Sequence, residues 1–220
     1  MARQARSEST RQKILAAAME LFDEVGYDAT TMGDIIERAQ MTKGALYYHF
    51  DSKEALAAAI IEIGTAKLLS TFLAVCQSSA PAIENLIHSM FVVVDQMASD
   101  KVARGAGLLR HTLGQFSEAA ATSNRDWSSA MAAQLARVRA EGDLRDDVDP
   151  NDAAETLVAT IIGSTLMSAE LSYGADLPAR LLRAWGVLLP AIVPAHSLSY
   201  FREFLKRETL RRKELTSVQH

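Results

Sequence analysis

Apolar residues recur at intervals of three and four along nearly the whole chain, and no stretch alternates with a period of two. Such spacing gathers side chains onto one stripe of a helix but would scatter them over both faces of a strand. Asn-Gly and Asp-Gly hairpin turns are missing too. The fold class is therefore all-α. The first stripe, Ile14, Ala17, Ala18, Leu21, Phe22 and Val25, predicts a helix from Ser9 to Val25, with Gly26 as a left-handed cap. Residues 1 to 13 hold Arg3, Arg6, Arg11 and Lys13 against Glu8 alone. They are expected to form a flexible basic arm.

Thr31, with Asp34 three residues on, predicts the start of a short helix that buries Ile35, Ile36 and Ala39. Thr42 caps a second short helix, to about Tyr48. Two short helices joined by a tight turn, after a longer one, predict a three-helix helix-turn-helix unit. Asp51, Ser52 and Glu54 then open a long helix to about Cys76. Further helices are expected from Pro81, from Asp100 to near Gly114, from Asn124 to Glu141, from "DVDPND" at 147 to 152, from Pro178 to near Pro190 and Pro194, and from Ser197 to Glu214. "GQFSEAAATSN", 114 to 124, is expected to be a long loop. The chain thus divides into a DNA-binding unit, 1 to 53, and a helical bundle, 54 to 220.

The segment "TKGALYYHF", 42 to 50, places four aromatic rings in succession. A helix turns about 100° per residue, so those rings cannot all enter one core. With Thr42 as cap, Ala45, Leu46 and Phe50 turn inward, while Lys43, Gly44 and Tyr47 lie on the first turn and outer face. Tyr48 and Phe50 are expected to pack this helix on the first one. An amine, a residue without a side chain and a phenol suit a helix entering a DNA major groove.

The net charge of −4 and pI near 5.8 argue against indiscriminate nucleic-acid or membrane binding. Residues 1 to 53 balance seven Lys or Arg against eight Asp or Glu, so a basic DNA surface depends on distribution. The six basic residues between Arg202 and Lys213 are expected to form a solvated helix face. A single cysteine, Cys76, points to a reducing compartment, and the apolar run 186 to 195 is too short for a membrane span. The expected location is the cytoplasm. Five scattered histidines and the absence of any nucleophile motif, metal-ligand spacing or dinucleotide loop argue against an enzyme, a cofactor or a metal.

"TTMGDIIERAQMTKGALYYHFDSKEAL" and the preceding "TRQKILAAAMELFDEVGYDAT" resemble the DNA-binding signature of the TetR family of one-component repressors. "TKGALYYHF", Trp127 in "RDWSSAM" and "DVDPNDAAETLVATIIG" are similar, more narrowly, to the γ-butyrolactone receptors of actinomycetes, which control antibiotic production. The resemblance implies a homodimer on a pseudo-palindromic double-stranded operator, released by a small apolar effector. It places Thr42, Lys43, Gly44, Tyr47 and His49 on the recognition helix, Thr31 against a phosphate, and Lys53 at the start of the connecting helix, with Arg3 and Arg6 in the arm. Trp127 and Thr160 match an effector-stacking ring and a hydroxyl for its carbonyl; Ser164, Met90 and Trp185 complete the expected lining. Trp127 and Trp185 also suit a plain core, and Thr160 a bond to its own helix. Receptors of this kind often carry glutamine where this chain has Gly64, which leaves open an effector with a different polar end; pseudo-receptors that answer to antibiotics are the alternative, but they tend to be basic and this chain is acidic. A helical protein-interaction module is the remaining alternative.

Overall fold

The computed structural model describes residues 2–113 and 118–218, and among these it contains ten α-helices and no strand. They are α1 (Ala2–Glu24), α2 (Met32–Ala39), α3 (Lys43–His49), α4 (Lys53–Cys76), α5 (Ala82–Ser99), α6 (Lys101–Leu113), α7 (Glu118–Ala140), α8 (Pro150–Ser172), α9 (Leu177–Ile192) and α10 (Ala195–Val218). The described residues form two compact units, one from 1–68 and 99–123, the other from 69–98 and 124–220. The helix-turn-helix segment thus packs in one unit with most of α4 and with α6.

In the first unit, α1 packs against α2, α3 and α6. Ile14, Leu15, Ala18, Leu21 and Phe22 of α1 share one core with Ile35, Leu46, Phe50, Leu56, Ile60, Ile61 and Leu109. The stripe read from the sequence is the face that α1 buries, except for Val25, which lies past the end of the helix and is exposed. Gly26 follows α1 at φ +88, a conformation that a side chain would strain. A full capping box starts α2: the Asp34 N–H donates to Thr31 Oγ1 at 3.2 Å, and the Thr31 N–H donates to Asp34 Oδ2 at 2.8 Å. Gln40 ends it in the left-handed region, with φ 53, and Thr42 caps α3 by accepting the Ala45 N–H at 3.2 Å.

Several expectations need correction. The basic arm is helical, because α1 begins at Ala2. Residues 2 to 13 lack Gly and Pro, and side chains bracket the turns: Thr10 Oγ1 donates to the Arg6 carbonyl at 3.0 Å, and Gln12 to Glu8 at 2.8 Å. Most of the expected loop is also helical, since α7 starts at Glu118; its Ala-rich run favours helix over loop, and 114–117 lie outside the described residues. Tyr48 does not pack inward, being 77% exposed, while Phe50 is buried. The end expected near Pro190 and Pro194 is kept: Pro190 lies in the last turn of α9, Pro194 holds Val193 extended, and the helix stops at Ile192 between them. Besides the short run 186 to 195 there is a longer apolar segment, α4. By length and composition α4 could cross a membrane, yet Leu56, Ile60, Ile61, Leu68 and Phe72 are buried in protein.

One crossing in this unit is unusually close. A Cβ on Gly64 of α4 would overlap the Ala106 Cβ and sit 2.8 Å from the Val102 carbonyl oxygen, both on α6. Beside it Lys67 pairs with Asp100, whose other oxygen caps α6 by accepting the Val102 and Ala103 N–H groups at 2.9 and 3.1 Å. The Lys67 ammonium holds the Asp100 carboxyl below its ordinary value.

In the second unit, α5 is the central helix, burying ten of its residues from Ala82 to Val94. Its first N–H, that of Ala82, is capped by Glu141 Oε2 at 2.6 Å, and buried Gln134 donates to the Ala82 carbonyl at 2.9 Å. Asp149 caps α8 with Pro150 in the first turn, and α8 and α10 each pack on α9. Polar clasps bind α10 to α5: Tyr200 to Glu84, His88 to Glu208 at 2.8 Å, and Arg212 to Asp95.

Candidate functional site

The recognition segment is a short helix with one sealed face and one open face. Leu46 is fully buried and Phe50 nearly so, which fixes the rotation of α3. Arg11 of α1 lies over the Phe50 ring at 5.4 Å and braces it. On the opposite face Thr42, Lys43, Gly44, Tyr47 and Tyr48 are exposed. The Lys43 ammonium lies 5.8 Å from the centre of the Tyr47 ring, so amine and phenol share one edge. No atom lies within 4 Å of a Cβ built on Gly44, hence packing inside the chain does not require glycine there. His49 is half-buried and meets Tyr48 edge-on at 5.0 Å.

Behind this helix, α2 is tied to α1 through Arg38, which donates to Glu24 at 3.0 and 2.7 Å and reaches Glu20 at 3.4 Å. That guanidinium holds the Glu24 carboxyl below its ordinary value. Thr31 stands exposed at the N-terminus of α2, but its hydroxyl already bonds Asp34 Oδ2 at 2.7 Å. Arg6 is exposed on α1, whereas the Arg3 side chain lies outside the described residues. Lys53 does open the connecting helix, and its ammonium turns onto the α1–α2 turn.

Of the expected effector residues, Trp127 is 8% exposed and faces Phe72 of α4, ring centres 5.3 Å apart and tilted by 58°. Met90 and Trp185 are buried. Thr160 donates to the Thr156 carbonyl at 2.7 Å, the local bond that its position in a helix allows. Ser164 is half-buried, and Met167 is exposed. Phe72, the ring opposite Trp127, carries no mark in the sequence beyond its apolar character. Tyr48 was missed by assigning it to the core.

Two family models match the chain: the bacterial regulatory proteins of the tetR family over residues 14–60, and the tetracyclin repressor-like C-terminal domain over 80–194. The A-factor receptor protein of Streptomyces griseus is 33% identical over 192 residues, 87% of this chain and 67% of that protein. A solved γ-butyrolactone receptor, described as ArpA-like, superposes with a TM-score of 0.73 at 26% identity, covering 94% of this chain and 99% of that one. CprB from Streptomyces coelicolor, solved in complex with its biological operator sequence, gives a TM-score of 0.71 at 29% identity, covering 92% and 97%. The first model falls on the helices that present Lys43 and Tyr47, and the second on the unit that holds Trp127. With both halves matched, the chain belongs to the TetR family of bacterial regulatory proteins.

Proposed function

We propose that this TetR-type repressor binds a pseudo-palindromic operator as a homodimer and is released by a small, mostly apolar effector of the γ-butyrolactone kind. The observation that carries the DNA-binding half is the two-faced α3, with Leu46 and Phe50 sealed and Lys43, Gly44 and Tyr47 open. Lys43 can reach guanine O6 and N7 or a phosphate, and Tyr47 a thymine methyl. Thr42, His49, Thr31 and Arg6 flank that surface. Palindromic duplexes selected from a random pool test this. Lys43→Ala is expected to weaken retention by about five- to 150-fold, the roughly 1–3 kcal/mol of a base contact, with the melting temperature unchanged. Full affinity in that variant would refute base reading by α3.

The effector half rests on the buried Trp127 and Phe72 pair and on the resemblance to receptors named for butyrolactones. Gly64 supports a non-standard effector. A side chain there would meet α6 at once, so the effector's polar end must be read by other groups. Release follows only if the effector prefers the state that does not fit the operator. A band-shift titration with synthetic butyrolactones tests it, and release by an antibiotic alone would favour the pseudo-receptor reading.

Dimerisation is supported by α8 and α9. Leu171 is 68% exposed, Val187 is 75% exposed, and Met167 stands open as well, although the opposite faces of both helices are buried. Large apolar side chains left open on two packed helices support an interaction surface there, and two recognition helices must sit about 34 Å apart to read a palindrome. The Leu171→Glu, Val187→Glu double variant is expected to sediment as a monomer and to lose operator retention. A dimer that survives both charges would move the interface elsewhere.

A further inference from the structure

Lys53 opens α4, where a free ammonium would suit a phosphate. Instead Nζ donates to the carbonyls of Tyr27 at 2.8 Å and Thr30 at 2.9 Å, and more weakly to Asp28 at 3.4 Å. It also lies 4.3 Å from the centre of the Tyr27 ring. An ammonium has three protons, and three carbonyls converge on this one. The next residue reinforces the contact, since Glu54 accepts the Tyr27 hydroxyl at 3.4 Å. Burial first, and the Glu54 carboxylate second, push the Tyr27 phenol up to about 12.

The gripped segment is itself tightly made. Thr30 is buried; its hydroxyl donates to the Gly26 carbonyl at 2.8 Å, and its N–H to the Tyr27 carbonyl at 3.3 Å. Thr31, the cap that sets where α2 begins, follows directly. The first two residues of α4 therefore hold the turn from which α2 starts, and α2 packs on α3.

We propose that Lys53 is a positioning residue for operator binding, fixing the α1–α2 turn to the N-terminus of α4 and acting through that turn rather than on a phosphate. A shift of the first turn of α4 relative to α1 then drags the α2 cap with it, so α2 and α3 move as one body. The proposal rests on DNA reading by α3, but the clamp can be tested without DNA.

Lys53→Met keeps the apolar stem and removes the donors; Lys53→Arg restores a charged donor. Two measurements are needed: amide hydrogen exchange of the free protein, and affinity for a palindromic duplex from the random pool over a salt series. In Lys53→Met, amides from Thr30 to Ile36 are expected to exchange faster while those of the α4 interior hold. Operator affinity falls about tenfold, the order of one charge-assisted hydrogen bond, and Lys53→Arg recovers part of it. The slope of log affinity against log salt stays at its wild-type value. A slope reduced by about 0.9 for each Lys53 in the complex identifies a phosphate contact and overturns the proposal. Unchanged exchange overturns the clamp itself, whether or not any duplex is retained. Faster exchange with full operator affinity leaves Lys53 a merely structural residue and rejects the positioning role. Failure of the wild-type protein to retain any duplex falls on the DNA-binding reading, and the exchange result still decides the clamp.

Discussion

Gly64→Gln is expected to destabilise the first unit, although it replaces a mid-helix glycine. Two effects of opposite sign meet at this position. Removing a glycine from a helix interior gains about 1 kcal/mol, because the unfolded chain loses freedom that glycine alone possesses. Against this, the new Cβ overlaps Ala106 and crowds the Val102 carbonyl, and neither a methyl nor a backbone oxygen can rotate away. Overpacking of a well-filled core costs about 1–3 kcal/mol, and more where the neighbours are rigid. Steric crowding wins, and Gly64→Ala is expected to be destabilised in the same sense. Thermal melting of Gly64→Ala, Ala106→Gly and the double variant reads it. Ala106→Gly should recover part of the loss, since one of the two obstacles goes, and the coupling of the pair measures how close the helices are. A higher melting temperature in Gly64→Ala alone would mean that α4 and α6 do not approach so closely.

Trp127→Ala carries the other large effect. Deleting a buried tryptophan leaves a cavity against Phe72 and costs about 3–5 kcal/mol. For a chain of this length each kcal/mol lowers the melting temperature by about 2–4 °C. Taken alone that result says only that the ring is core. Trp127→Phe separates packing from recognition, since it keeps a ring opposite Phe72 and loses less volume. Its stability is expected to lie near wild type, while release from the operator by a synthetic butyrolactone shifts to higher concentrations. Release at unchanged concentration would return Trp127 to a purely structural role, and the effector would have to be read elsewhere in the second unit.

The sequence made the helices legible wherever a stripe and a cap coincided. Thr31 with Asp34, Thr42, Asp100 and the segment "DVDPND" mark starts that the structure keeps, because a side-chain acceptor must stand where the first N–H groups lack partners. The inward set of α3, Leu46 and Phe50, was legible for the same reason. Tyr48 was misassigned. The helix period sets it about 200° from Leu46, on the arc opposite the sealed side chains, so the expectation that it packs on α1 ran against that spacing. Residues 2 to 13 and 118 to 123 lack a continuous apolar stripe, so helix propensity alone, the absence of Gly and Pro in the first and the alanine run in the second, marks them as helical. The inward turn of Lys53 was beyond reach, since it depends on carbonyls more than twenty residues away, and a lysine that opens a helix gives no sign of which way it points. Gly64 was visible as an anomaly, but its meaning required knowing what lies opposite.

The unbroken α1 has a consequence for how much of an operator this protein can read. Arg6 stands eight residues before Ile14, the first sealed residue of the helix, and so about 12 Å out along a stiff rod. A rod cannot thread a narrow neighbouring furrow as a loose strand does; it can only rest a charge on the sugar-phosphate ridge. The consensus from site selection should therefore be sharp over the base pairs beneath each short helix and nearly featureless at its outer margins.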